Sequence, residues 1–171
     1  IRKEWGGIMG VYLNGKNAYG HFREAFSLTY FVDKTDILNE FVPILELKND
    51  SYERSGILRG RSLKYISITR PRRFGKTMMA NTIASFFGKG VDSSKEFERL
   101  KVSGYAWYKR HLNQHNVIHI MFNEAPRECR SYSSYIYRIE EGLMDDLRIE
   151  YQDVPIRERD AVWDALKKIY E

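Results

Sequence analysis

The chain has 171 residues with a net charge of +5, and its 43% hydrophobic and 14% aromatic content supplies a core for one domain and excludes a disordered tail. It contains no apolar run long enough to span a membrane, and the start Ile1-Arg2-Lys3-Glu4-Trp5 lacks a signal-peptide core. The single cysteine, Cys129, excludes an intrachain disulfide and fits a reducing, cytoplasmic setting.

Residues 1–29 read as a Gly-rich irregular segment with a short helix at 21–26, ahead of a domain over 30–171. Tyr30-Phe31-Val32 reads as a short strand. Asp33 or Thr35 then caps a helix carrying Leu38, Phe41, Val42 and Leu45 at helical spacing. Residues 48–62 are polar, hold Gly56 and Gly60, and read as a mobile connection. The apolar run 63–69 predicts a strand buried on both faces.

Arg70-Pro71-Arg72-Arg73-Phe74-Gly75-Lys76-Thr77 follows that run directly, ahead of a helix with Met79, Ile83, Phe86 and Phe87 on one face and Gly88 and Gly90 as its stop. Glycine, lysine and threonine between a strand and a helix are the working end of a phosphate-binding loop, whose pattern is G-x-x-x-x-G-K-[ST]. Amides from Arg73 to Thr77, with Met78 behind them, are expected to bind phosphate oxygens, Lys76 to reach the β- and γ-phosphates, and Thr77 to ligate Mg²⁺. ATP with Mg²⁺ is the expected ligand. Arg70 stands where the first glycine is usual, and Pro71 pushes it toward an extended conformation. Arg70, Arg72 and Arg73 repel one another unless an anion or acidic neighbours compensate them.

Further along, Ser93 or Ser94 caps a short helix ending near Leu100, and residues 116–122 form the second strand candidate. Ile136, Ile139, Leu143 and Leu147 mark an amphipathic helix. A last helix after Pro155 buries Val162, Leu166, Ile169 and Tyr170. Strand, loop, helix, strand, helix is the order of an α/β fold with three layers and a mostly parallel sheet.

Two motifs together carry a resemblance. Tyr30-Phe31-Val32-Asp33-Lys34-Thr35 and the Arg-Pro-Arg-Arg-Phe-Gly-Lys-Thr loop at 70–77 resemble the AAA-ATPase-like family of bacterial predicted ATPases. The likeness takes in residues 97–100, Trp107-Tyr108 and 117–122, covers most of 28–125, and thins beyond. It implies a P-loop NTPase fold, Mg-ATP as ligand and a nuclease-like domain in many full-length members. It also makes Arg70 a variant of the loop, and residues 30–171 the N-terminal part of the ATPase domain. Rings are common among AAA proteins, so the resemblance leaves a homo-oligomer open.

Hydrolysis also needs an acid at the end of a neighbouring strand to help hold Mg²⁺. Asn123-Glu124 after the 117–122 run imitates that signature with asparagine where aspartate is wanted. In the resembled family the acidic strand lies further downstream. The expectation is therefore a fold incomplete at its C-terminal side, which binds ATP and hydrolyses it weakly here.

Other constellations divide between functional and structural roles. Asp33 and Lys34 either approach the base or ribose, or cap a helix and remain solvated. Arg72 and Arg73 are phosphate contacts, a cis arginine finger, or loop charges, and Phe74 reads as a packing anchor for the loop. Arg59, Arg61 and Lys64 add to the basic surroundings, which suit nucleotide phosphates or, alternatively, a nucleic-acid backbone. A P-loop small-molecule kinase is the remaining alternative. His111, His115 and His119 recur every fourth residue, but the turn-like Asn113-Gln114-His115-Asn116 between them argues against a metal site. Glu140, Glu141, Asp145 and Asp146 read as a solvated helix face.

Overall fold

Two apolar clusters organise the computed structural model, which describes residues 10–46, 65–69, 71–122 and 129–171. The expectations for 48–62, for Arg59, Arg61, Lys64 and Arg70, and for Asn123-Glu124 lie outside these residues. The helices are α1 (Lys16–Phe26), α2 (Val42–Glu46), α3 (Lys76–Phe87), α4 (Ser94–Phe97), α5 (Tyr108–His111), α6 (Tyr132–Glu150) and α7 (Val162–Tyr170), with 3₁₀ turns at Thr35–Glu40 and Lys101–Gly104.

The α/β/α fold with a parallel sheet is overturned. Among the described residues there is no sheet, only the isolated bridges Leu13–Ile118 and Gly88–His115. Apolar, β-branched runs specify an extended backbone, but a strand exists only where a neighbour supplies the ladder. Among the described residues none does so at 65–69, and Tyr65 is 84% exposed. Residues 30–32 are likewise unpaired, and the 116–122 run makes short contacts instead of a ladder. Its Val117 C=O accepts from Asn14 N–H (2.9 Å), and His119 N–H donates to the Tyr12 C=O (2.9 Å).

The larger cluster centres on α3. Phe86 and Phe87 of α3 meet Phe22 of α1, Phe97 of α4 and Tyr108 of α5. Phe22 and Phe97 stack at 4.7 Å between ring centroids, and Phe86 meets Phe97 edge-on at 5.1 Å. α1 runs five residues further back than the 21–26 reading, because Ala18 joins Phe22 on its buried face against α3. The second cluster joins Leu13, α6 (Leu143, Met144, Leu147) and α7 (Ala165). Tyr170 is 78% exposed, so the inward face of α7 runs through Ala165 instead.

Asp146 lies on the inward face of α6, four per cent exposed. Its carboxylate accepts the amides of Val11 (2.9 Å), Tyr12 (2.6 Å) and Leu13 (3.0 Å), fastening the 11–13 segment to α6. The acidic run at 140–146 is therefore solvated only in part.

Candidate functional site

The loop between Pro71 and α3 is exposed along its length. Pro71 C=O accepts from Phe74 N–H at 3.4 Å, closing a turn. Arg73 then takes φ +67° and Gly75 takes φ +78°, while Phe74 between them and helical Lys76 after them stay at negative φ. Alternation of this kind turns successive N–H groups toward one side and makes a nest for an anion. Gly75 supplies left-handed φ at no steric cost. Arg73 does not. The other described non-glycine residues at positive φ, Asn14 and Asn113, are asparagines that tolerate it.

Relief of that conformation gives a two-signed expectation. Arg73→Gly removes roughly 1 kcal/mol of backbone strain, offset in part by the greater freedom of glycine in the unfolded chain. Urea unfolding should show stability unchanged or raised by up to about 1 kcal/mol, and affinity of the loop for an anion should fall because a cation has gone.

α3 begins against the ordinary rules for a helix start. Its N-cap is Gly75 with no side-chain cap, its first turn carries no acidic residue, and Lys76 occupies the first position. A cation at the positive end of the macrodipole is unfavourable, and an acceptor side chain is the usual partner of first-turn amides. All these departures favour an anion in front of Gly75. Thr77 presents its hydroxyl on the same exposed turn.

Beside the loop runs a cleft of about 520 Å³. Gly75, Met78, Met79 and Thr82 form one wall, and residues from the 28–37 segment form the other. Residues of the 30–35 motif and Arg73, Phe74 and Gly75 of the loop thus line one cleft. Lys34 and Arg73 both line the cleft, and Phe74 lines it too, 56% exposed and outside the core. Phe74 is therefore no packing anchor. Pro71, Arg72, Lys76 and Thr77 are exposed and do not line it; Lys76 and Thr77 stand beside it on the first turn of α3.

Asp33 is taken up elsewhere. Its carboxylate accepts from Thr35 N–H (2.9 Å), Thr35 Oγ1–H (2.7 Å) and Lys101 N–H (2.7 Å). Burial pushes this carboxyl up, but the bonds from Lys101 and Thr35 outweigh burial and hold it below the usual carboxylate range. Thr35 Oγ1 in turn accepts from Val102 N–H at 3.2 Å. Asp33 and Thr35 therefore clip the 28–37 segment to the Lys101–Gly104 turn and leave Lys34 directed at the cleft. Sequence reading missed this clip, because its partner lies 68 residues away.

A family model described as predicted AAA-ATPase matches residues 58–171, taking in the loop and everything from α3 to α7. The chain belongs to the predicted AAA-ATPase family. Nucleotide use comes with that membership at the family level. The match starts after the 30–35 motif and extends past residue 125, where the likeness legible in the sequence thins. No curated protein and no solved structure matches the chain. Among the described residues of this AAA-ATPase family member, no helix is long and apolar enough to cross a membrane.

The histidines form a different feature. His111 Nδ1 and His115 Nε2 lie 2.9 Å apart, and His111 Nε2 lies 3.1 Å from Glu46 Oε1, which also accepts from Arg110. His119 is not part of this group. At this separation one ring nitrogen donates and the other accepts. Burial, then the neighbouring His111, hold His115 below its usual pKa of 6.5. Between the folded value and 6.5 the unfolded chain binds more protons. This stabilisation is thus complete above pH 6.5 and is lost as pH falls through the folded value. Thermal midpoints should drop over this interval, before the carboxylates titrate, and His115→Phe should flatten that part of the profile.

Proposed function

We propose that the loop and cleft form the ATP site of this AAA-ATPase family member. The observation that carries the proposal is the alternation of backbone φ from Arg73 to Lys76, in front of a helix start that lacks both a cap and an acid. The Gly75, Lys76 and Thr77 amides bind phosphate oxygens, and the Lys76 ammonium takes the β- and γ-phosphates. Thr77 Oγ1 is the hydroxyl ligand to Mg²⁺. Mg²⁺, when held there with ATP, would supply positive charge to the phosphates. Arg73 and Lys34 add cationic charge from both walls of the cleft. Hydrolysis of the bound ATP is part of the proposal.

Ligand linkage tests it. Millimolar Mg-ATP should raise the thermal midpoint of the chain, and single- or double-stranded nucleic acid should not. Stabilisation by nucleic acid alone would transfer the arginine-rich loop to a phosphate-backbone role. Transfer to an added acceptor faster than release of phosphate would indicate a kinase.

A further inference from the structure

Lys34 is the cation that the 28–37 segment brings to the cleft, and it is exposed. A charge on an exposed segment attracts a ligand strongly only where its backbone is already held, because the cost of ordering is subtracted from binding. The neighbouring carboxylate holds it. Asp33 Oδ1 accepts from Thr35 N–H (2.9 Å) and Thr35 Oγ1–H (2.7 Å), a turn closed around Lys34. Asp33 Oδ2 accepts from Lys101 N–H (2.7 Å), so the turn is fastened to a distant stretch of chain. Two further bonds join the same stretches: Asp36 Oδ1 accepts from Tyr105 Oη–H (3.1 Å), and Asn39 Oδ1 accepts from Trp107 Nε1–H (3.1 Å). Asp33 itself does not line the cleft.

We infer that Asp33 is a positioning residue for nucleotide binding and acts through Lys34: its clip to Lys101 holds the segment where the Lys34 ammonium meets the bound nucleotide. The inference rests on the ATP-site reading above and adds a residue that does not touch the nucleotide. The sign of its effect separates this role from an electrostatic one. A carboxylate one residue from Lys34 repels an anionic ligand, so on charge alone its removal should tighten ATP binding. On positioning, its removal lets the segment sample arrangements that do not bind, and apparent affinity falls with the competent fraction. Linkage is reciprocal. A nucleotide held by Lys34 must in turn steady the bond from Lys101 N–H to Asp33.

The test is titration calorimetry of the whole chain with Mg-ATP, for wild type, Asp33→Ala, Asp33→Asn, Lys34→Ala and the Asp33→Ala/Lys34→Ala double variant, with amide hydrogen exchange on wild type. Asp33→Ala should weaken ATP about tenfold. Asp33→Asn should weaken it about threefold, since asparagine keeps an acceptor for Thr35 and loses the one for Lys101. In the Lys34→Ala background, Asp33→Ala should change affinity less than about twofold. Mg-ATP should slow exchange of the Lys101 amide. It should leave the Ser94 amide unaltered, which donates to the Asp92 carboxylate (3.1 Å) on an exposed turn that does not line the cleft. ATP binding by Asp33→Ala as tight as wild type, or tighter, would refute the positioning role and leave the ATP site standing. An undiminished effect of Asp33→Ala in the Lys34→Ala background would do the same, as would an unmoved Lys101 amide in nucleotide-saturated wild type. That last reading needs no variant, so it decides the matter even where Asp33→Ala folds poorly. Wild type that binds no Mg-ATP would remove the site and the role together.

Discussion

Asp146→Ala should cost about 3–5 kcal/mol of folding stability, the largest effect expected of any single polar substitution described above. Three consecutive amides converge on this carboxylate, and the site is almost fully buried. Alanine removes the acceptor from all of them together, and water cannot readily replace it. The loss also frees the 11–13 segment, whose Tyr12 C=O accepts from His119 N–H, so the second cluster should loosen as a unit. Urea unfolding measures the change directly. Asp145→Ala is the internal control, since that side chain is 71% exposed and pairs with Arg148 across one helical turn. It should shift the midpoint little. Equal effects of the two substitutions would contradict the role given to Asp146.

Lys76→Ala should weaken Mg-ATP binding by about 2–4 kcal/mol, or roughly 30- to 1,000-fold. It should leave the fold intact or slightly more stable. The asymmetry follows from where the lysine stands. At the first position of α3 the helix macrodipole repels a cation, and no acid in that turn compensates it. Alanine removes the repulsion and is the better helix former. Calorimetry and urea unfolding on the same samples separate the two effects. A variant that loses stability and ATP affinity together would instead make Lys76 a structural residue.

Legibility in the sequence followed the range of the interactions. α3, α6 and α7 were readable because their apolar residues recur at 3.6-residue spacing, and helical hydrogen bonds are local. The sheet was misread because residues 65–69 and 116–122 have strand composition, whereas pairing depends on partners that composition does not contain. Asp146 was hidden among Glu140, Glu141 and Asp145, although its place three residues after Leu143 sets it on the inward face. At the site, Gly75-Lys76-Thr77 were legible as a motif. The left-handed Arg73, the clip from Asp33 to Lys101 and the cleft between residues 28–37 and α3 were not, since each joins stretches far apart in the chain.

The central claim concerns a few backbone amides, and amide chemical shifts report on them individually. Mg-ATP titrated into isotopically labelled protein should shift the amides of Gly75, Lys76 and Thr77 most strongly, with Arg73 and Lys34 following, and tripolyphosphate should reproduce the shifts at the loop. Saturable binding that leaves those loop amides unmoved and perturbs another surface would contradict the account.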